Sequence, residues 1–325
     1  MTYRFTSGFI ALAMTTALAT PALAADLVRV ANSQKGLWDQ TLIEFGDQTG
    51  IFDKYDIDLE ILWTDGGADA QQAVIAGSMD IAFGTGALGV ISAHSKGAPI
   101  EILGASMTGS SDLYWFVKSD SEIKSFADTA GKTVAFSRPG SSTNLVAAAL
   151  VAAAGTDAKL VPTGGPAATL TQVMSDQIDV GWAAAPVGLD REAAGEIRVI
   201  ASGNDAPGVK DQSVRVHVVN ANFLEQNPDV VKRFLQAYRE TLDWAYESDE
   251  AVTMWAEMNS LEVDTAKDIR DRIYPREVLQ LHPVKGMDRN IQEAIDNKRL
   301  DAPLTEEQVN DMMAVSKEFE TSLKN

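Results

Sequence analysis

The 325-residue chain contains no cysteine. That absence excludes a disulfide framework, a thiol nucleophile and thiolate metal sites. Histidine is scarce as well: His94, His217 and His282 lie far apart, in no spacing that suits zinc or a hydrolytic triad. The acids lack the D-x-[DN]-x-[DN]-G calcium pattern, so no metal is expected. Positive charge is in short supply, with 27 Lys and Arg against 46 Asp and Glu and a net charge of −19. A surface this acidic repels nucleic acid and anionic lipid heads, whose affinity rests on counterion release by Lys and Arg. Nucleic acid is therefore not expected as a partner. Beyond the first 25 residues no apolar run reaches the roughly 18 to 20 residues of a membrane helix.

The first residues have the layout of a secretory leader. Arg4 supplies the positive start, Phe9 to Leu18 an apolar core, and Ala22-Leu23-Ala24 a small-residue cleavage site. The expectation is an exported, periplasmic protein cut near Ala24, whose charge falls by one more unit when Arg4 is lost. The remaining residues must fold on hydrophobic burial alone, and a chain of that length usually divides its core between two domains.

From Asp26 onward, strand and helix patterns alternate, which argues for an α/β sheet. "LVRVAN" and "DLEILWTDG" read as strands, while Gln71–Ala76 and Ala87–Ser95 have helical spacing. One internal echo stands out. "AVIAGSMDIAFGTG" (73–86) and "QVMSDQIDVGWAAA" (172–185) share helix end, polar turn, strand and small residues, aligning Asp80 with Asp179 and Gly77 with Asp176. Two units on one plan would produce it. "LYWFVKS" (113–119) and "SVRVHVVN" (213–220) read as crossover strands between them. After the second, helices dominate: Pro228 and Asp229 open one, Thr305 and Gln308 have capping-box spacing, and the charged run Asp264 to Arg272 reads as a solvated helix face.

Chemistry concentrates in "VAFSRPGSSTNLV" (134–146). The segment lacks the lysine of a phosphate loop and the G-x-S-x-G of a nucleophile elbow. It fits a strand running into a helix whose first turn is crowded with hydroxyls. Free N–H groups and the helix dipole there, with Ser141, Ser142, Thr143 and Arg138, could hold an anion. Simple N-capping by a serine fits the same spacing. "NSQKGLWDQ" (32–40), "TDGGAD" (64–69) and "FGTGA" (83–87) also follow strands, and in an open α/β sheet such ends face one ligand crevice. Trp63, Trp115, Trp182 and Trp255 read as packing residues, whereas Trp38, beside the Gly36 turn, reads as a ligand-stacking residue.

In this order "NSQKG", "DGGADAQQAVIAGSMDIAFGTG", "GKTVAFSRPGSSTNLVAAALVAAAG" and "TQVMSDQIDVGWAAAP" resemble the periplasmic nitrate, sulfonate and taurine-binding proteins of ABC importers. The resemblance implies an α/β, two-lobed type II periplasmic-binding fold with two crossover strands and a C-terminal helical block on the first lobe. Its implied division is leader 1–24, first lobe 25–116, second lobe 117–214 and a mainly helical return 215–325. It also implies a monomer without cofactor or catalysis, which closes on one small anionic ligand and delivers it to an inner-membrane permease driven by a cytoplasmic ATPase. Carried over residue by residue, the motifs nominate Gln34, Lys35, Gly36, Gly66, Gly67, Thr85 and Gly86 on the first lobe, with Trp38 nearby. On the second they nominate Arg138, Gly140, Ser141 and Ser142, with Arg215 on the second crossover as an added anion contact.

Where relatives often place an aromatic and an acid, this chain has Ala183-Ala184-Ala185 before Pro186. Losing that acid weakens the case for an ammonium-bearing ligand such as taurine. A sulfonate-like anion is the first expectation; an aromatic acid, nitrate or a thiamine-pyrimidine precursor are the alternatives. Micromolar binding takes about 8 kcal/mol, within reach of a few charge-assisted hydrogen bonds of about 1.5–3 kcal/mol each. The rival of another class is an enzyme on the same fold, related to thiamine-pyrimidine synthesis. Such chemistry resembles use of the protein's own histidine with a cysteine-rich iron motif, and cysteine is absent.

Overall fold

The computed structural model describes residues 25–322, so the expected leader and cleavage site lie outside the described residues. Ten strands follow one another as β1 (Asp26–Asn32), β2 (Ile57–Trp63), β3 (Ile81–Gly86), β4 (Ile100–Met107), β5 (Leu113–Lys118), β6 (Thr133–Phe136), β7 (Lys159–Pro162), β8 (Gly181–Ala184), β9 (Ile197–Ser202) and β10 (Arg215–Asn220). Helices α1 (Trp38–Gln48), α2 (Gly67–Ile75) and α3 (Ala87–His94) connect the first four strands, and α4 (Ser142–Ala154), α5 (Pro166–Met174) and α6 (Leu189–Ala193) connect β6 to β9. The return is helical: α7 (Ala221–Gln226), α8 (Pro228–Glu247), α9 (Asp249–Asn259), α10 (Val263–Ile273), α11 (Met287–Asp296), α12 (Glu306–Met312) and α13 (Ala314–Ser322).

The first sheet has the order β2-β1-β3-β10-β4, parallel except for β10. In the second, β8-β5-β9 is joined to β6-β7 through a parallel bridge between Val134 and Val180. The order through that bridge is β7-β6-β8-β5-β9, with β5 antiparallel to both neighbours. The two sheets thus repeat one plan, each with a single antiparallel strand, β10 or β5, in the fourth place. Strand β5 belongs whole to the second sheet. The last first-sheet strand before the crossing ends at Met107, and the expected lobe boundary at 116 falls within β5.

Period-two alternation divides the first sheet between two cores. Val28, Val30, Ile81, Phe83 and Leu103 face α1, α8, α9 and α10, while Ala31, Ala82, Ile102, Val216 and Val218 face the side of α2, α3 and α11. The long α8 starts with Pro228 in its first turn and buries Val231, Phe234, Leu235, Tyr238 and Leu242 along one stripe. Burying a side chain the size of Phe234 contributes about 1.5–3 kcal/mol. Thr305 and Gln308 form the expected capping box at the start of α12. The charged run in α10 is not solvated all round, because Arg270 turns inward over Trp38 and Tyr246 at 5.7 and 5.5 Å from their ring centres.

Candidate functional site

The carboxyl end of β3 and the starts of α2 and α4 meet between the two sheets around a cavity of about 30 Å³. A larger hollow, about 600 Å³, lies on the second lobe alone, lined largely by charged side chains, of which Lys118 pairs with Asp176 at 2.8 Å and Lys132 with Asp179 at 3.5 Å. The smaller cavity is the candidate site because both sheets end on it. Local sequence explains the convergence. Gly84 sits at φ +68°, where a side chain would run into Ser33 and Gln40, so the end of β3 can fold back toward β1. Gly86 lies so close to the second lobe that a Cβ there would be 2.5 Å from the Gly140 carbonyl and 2.8 Å from the Ser142 nitrogen. The Gly89 N–H donates to that same carbonyl at 3.2 Å.

Of the residues nominated from sequence, Gln34, Gly66, Gly67, Gly86, Ser141, Ser142 and Arg215 line the cavity. The others do not. Lys35 sits over the Trp63 ring at 5.9 Å, and Gly36 gives its carbonyl to the indole of Trp255. Thr85 donates its hydroxyl to the Val216 carbonyl, and Gly140 touches the first lobe without lining the cavity. Arg138 forms an exposed ion pair with Asp69 at 2.9 Å across the cleft mouth. Trp38 corrects the sequence reading most sharply. It is fully buried, edge-on to Phe45, Tyr246 and Trp255, and its indole donates to Tyr246 at 3.0 Å, so it is a core residue with no face for a ligand.

The wall also includes residues that sequence reasoning missed: Leu37, Leu113, Ser137, Trp182 and Ala184. Trp182 and Ala184 stand two apart on β8, so one strand period places both on the cleft face. That spacing was the available signal.

Electrostatically the site is balanced rather than cationic. Arg215 is buried and holds Asp112 at 2.5 Å, with Asp39 at 3.7 Å. Burial pushes the Asp39 carboxyl up to about 6, opposed by the Arg215 charge and reinforced by Asp112. His217, next on β10, is pushed down to about 3 by burial and by the neighbouring Arg215 charge, so it is neutral; its Nδ1 accepts from the Gly84 N–H at 3.4 Å.

At the start of α4 the hydroxyls of Ser137, Ser141 and Thr143 form a triangle with edges of 2.8–2.9 Å. A cyclic arrangement, Ser137 to Ser141 to Thr143 and back, satisfies every contact. Ser141 also accepts from the Asn144 N–H, and Thr143 from the Ser137 N–H. Ser141 is thus the ordinary N-cap that the spacing allowed, and the donor capacity of Ser137, Ser141 and Thr143 is spent within the triangle.

Comparison with known proteins agrees with this architecture. The sequence profile of the family described as NMT1/THI5 like matches residues 40–251. No curated protein matches the sequence. Among solved structures, the periplasmic nitrate-binding protein NrtA from Synechocystis PCC 6803 is 16% identical, with 92% of this chain and 89% of that one covered at a TM-score of 0.72. The periplasmic aliphatic sulphonate binding protein SsuA from Escherichia coli is 18% identical, covering 87% and 91% at 0.67. A DSZB mutant in complex with biphenyl-2-sulfinic acid is 18% identical, covering 92% and 99% at 0.61. These similarities show the periplasmic-binding fold, and the profile match shows the family: the chain belongs to the NMT1/THI5-like family.

Proposed function

We propose that the protein is the periplasmic solute-binding component of an ABC importer, a monomer that captures one small ligand between its lobes and delivers it to the permease. The observation that carries this reading is the interlobe cavity, where the β3 end and the first turns of helices from both sheets converge. Solved relatives named for nitrate and sulphonate binding share the fold. A small organic anion, sulfonate-like first, would be held by helix starts and N–H donors, because Lys35, Arg138 and Arg215 are each already engaged. A cavity of about 30 Å³ holds little more than a water or two, so ligand entry requires the lobes to part.

The balance of Arg215 against Asp39 and Asp112 favours a second reading, a neutral acceptor-rich heterocycle such as a pyrimidine. A thermal-shift screen of sulfonates, nitrate, aromatic acids and pyrimidines separates the two, since only the true class raises the melting temperature saturably with one site. Catalytic turnover by the purified protein, in place of stoichiometric binding, would reject the transport reading in favour of an enzyme, the kind of relative that the DSZB similarity brings in.

A further inference from the structure

The tryptophans of this protein are not equivalent. Trp38, Trp115 and Trp255 are fully buried, and each indole N–H has an acceptor: the Tyr246 hydroxyl, the Ala135 carbonyl and the Gly36 carbonyl, at 2.9–3.0 Å. Trp182 is 3% exposed and its Nε1–H finds no acceptor within the protein. An indole offers one donor and no acceptor, and leaving it unmet in the interior costs free energy that a packing residue would not incur without reason. This indole borders the interlobe cavity.

Across the cavity, on β10, Arg215 shows the same condition. It is 4% exposed; its terminal nitrogens are taken by Asp112, the Met107 sulfur and Asp39, while its Nε–H has no acceptor. On the α4 side the hydroxyls of Ser137, Ser141 and Thr143 are occupied with one another. Two residues with an unmet donor, one from each lobe, therefore line one small space.

We propose that a bound ligand bridges the Nε1–H of Trp182 and the Nε–H of Arg215, and that Trp182 is a specificity-determining residue that admits ligands carrying an acceptor oxygen or nitrogen toward the second-lobe wall. The inference rests on the reading that the cleft holds a solute. It adds that recognition is by hydrogen-bond acceptance at these two atoms. Because the guanidinium charge is already matched by Asp39 and Asp112, the acceptor group does not have to be anionic.

The test compares wild type with Trp182→Phe, which keeps an aromatic wall and removes the donor, using methanesulfonate and 4-amino-5-hydroxymethyl-2-methylpyrimidine as probes in calorimetry. The expected result is binding weakened at least about tenfold in the variant, whatever change in ligand-free melting temperature the smaller ring brings. A purely structural role would lower that temperature and leave the affinity of the folded protein unchanged. Trp182→His, which retains a ring N–H, restores part of the affinity. Variant affinity within about twofold of wild type for a probe that binds would overturn the proposal. If neither probe binds wild type, those ligand classes fail and the Trp182 assignment is decided separately by indole exchange in ligand-free, 15N-tryptophan-labelled protein. A Trp182 proton exchanging far faster than those of Trp38, Trp115 and Trp255 supports it, and one equally protected overturns it.

Discussion

Asp80 and Asp179 occupy the same place in the two sheets, at the head of the third strand, where each carboxylate takes the backbone N–H of the first strand: Arg29 in one case, Thr133 in the other, both at 2.9 Å. What surrounds them differs. Asp80 is 3% exposed and also grips the Arg29 guanidinium at 2.5 and 3.0 Å. Asp179 is partly open; burial pushes it up, but the Thr133 N–H and hydroxyl, with Lys132, outweigh that and hold its carboxyl below the usual range. The turns ahead of them also correspond, with Gly77 at φ +74° and Asp176 at φ +57°, the left-handed conformation that glycine enters freely and aspartate tolerates. Beyond the aspartates the copies diverge in purpose. The first lobe ends its strand in Gly84-Thr85-Gly86, which lets backbone approach backbone; the second follows Trp182 with alanines, giving a wall of side chains. One topology supplies a point of backbone contact on one side of the cleft and a wall of side chains on the other.

The largest expected effect breaks the aspartate pair. Asp80→Ala leaves the Arg29 charge without its carboxylate and should cost about 3 kcal/mol in urea unfolding, against about 1–2 kcal/mol for Asp179→Ala. Equal costs would mean that the two sheets are pinned alike.

Next comes the charge cluster that exists in the first lobe's site and has no counterpart in the second. Asp39, raised to about 6, adds stability that is present below its unfolded value near 4 and is lost as pH rises to about 6. His217, lowered to about 3, adds stability that is present above about 6.5 and is lost as pH falls toward 3. The two slopes oppose each other between pH 4 and 6. Asp39→Asn removes the falling one, so its stability relative to wild type should climb as pH rises from 4 to 6.5. A pH-independent difference would place Asp39 at an ordinary carboxylate value.

Gly86→Ala tests the contact point. Its Cβ would meet the second-lobe backbone, which has no flexible end to move aside, so full closure is blocked and ligand affinity should fall roughly tenfold with little change in folding stability. Arg138→Ala is expected to be the mildest. An exposed pair such as Arg138–Asp69 contributes about 0–1 kcal/mol, so affinity should change by less than about fivefold, and the effect should fade at high salt.

Much of the fold is written in short-range pattern. The 73–86 and 172–185 echo, the Pro228 helix start and the Thr305 capping box are local features, and each appears where its spacing places it. The site was legible in its backbone, in Gly66, Gly67, Gly86 and the α4 start, because small residues after strands mark the crevice. Its side chains were less so. Trp38 was read as a ligand residue because the partners that bury it, Tyr246 and Trp255, lie more than 200 residues downstream; Trp182, read as packing, is buried as expected, and the feature that sets it apart is an acceptor it does not have. Arg138 and Lys35 are positively charged in sequence but engaged in space by Asp69 and Trp63.

The hydroxyl triangle of Ser137, Ser141 and Thr143 behaves as a closed proton circuit. Going round it once uses all three hydrogens, and only Ser137 keeps a free lone pair. At rest these three hydroxyls thus present an acceptor; one becomes a donor only when it rotates out and the circuit opens, at a cost of about 1 kcal/mol. Opening it takes a strong acceptor, since a weakly basic one returns less than the bond it breaks.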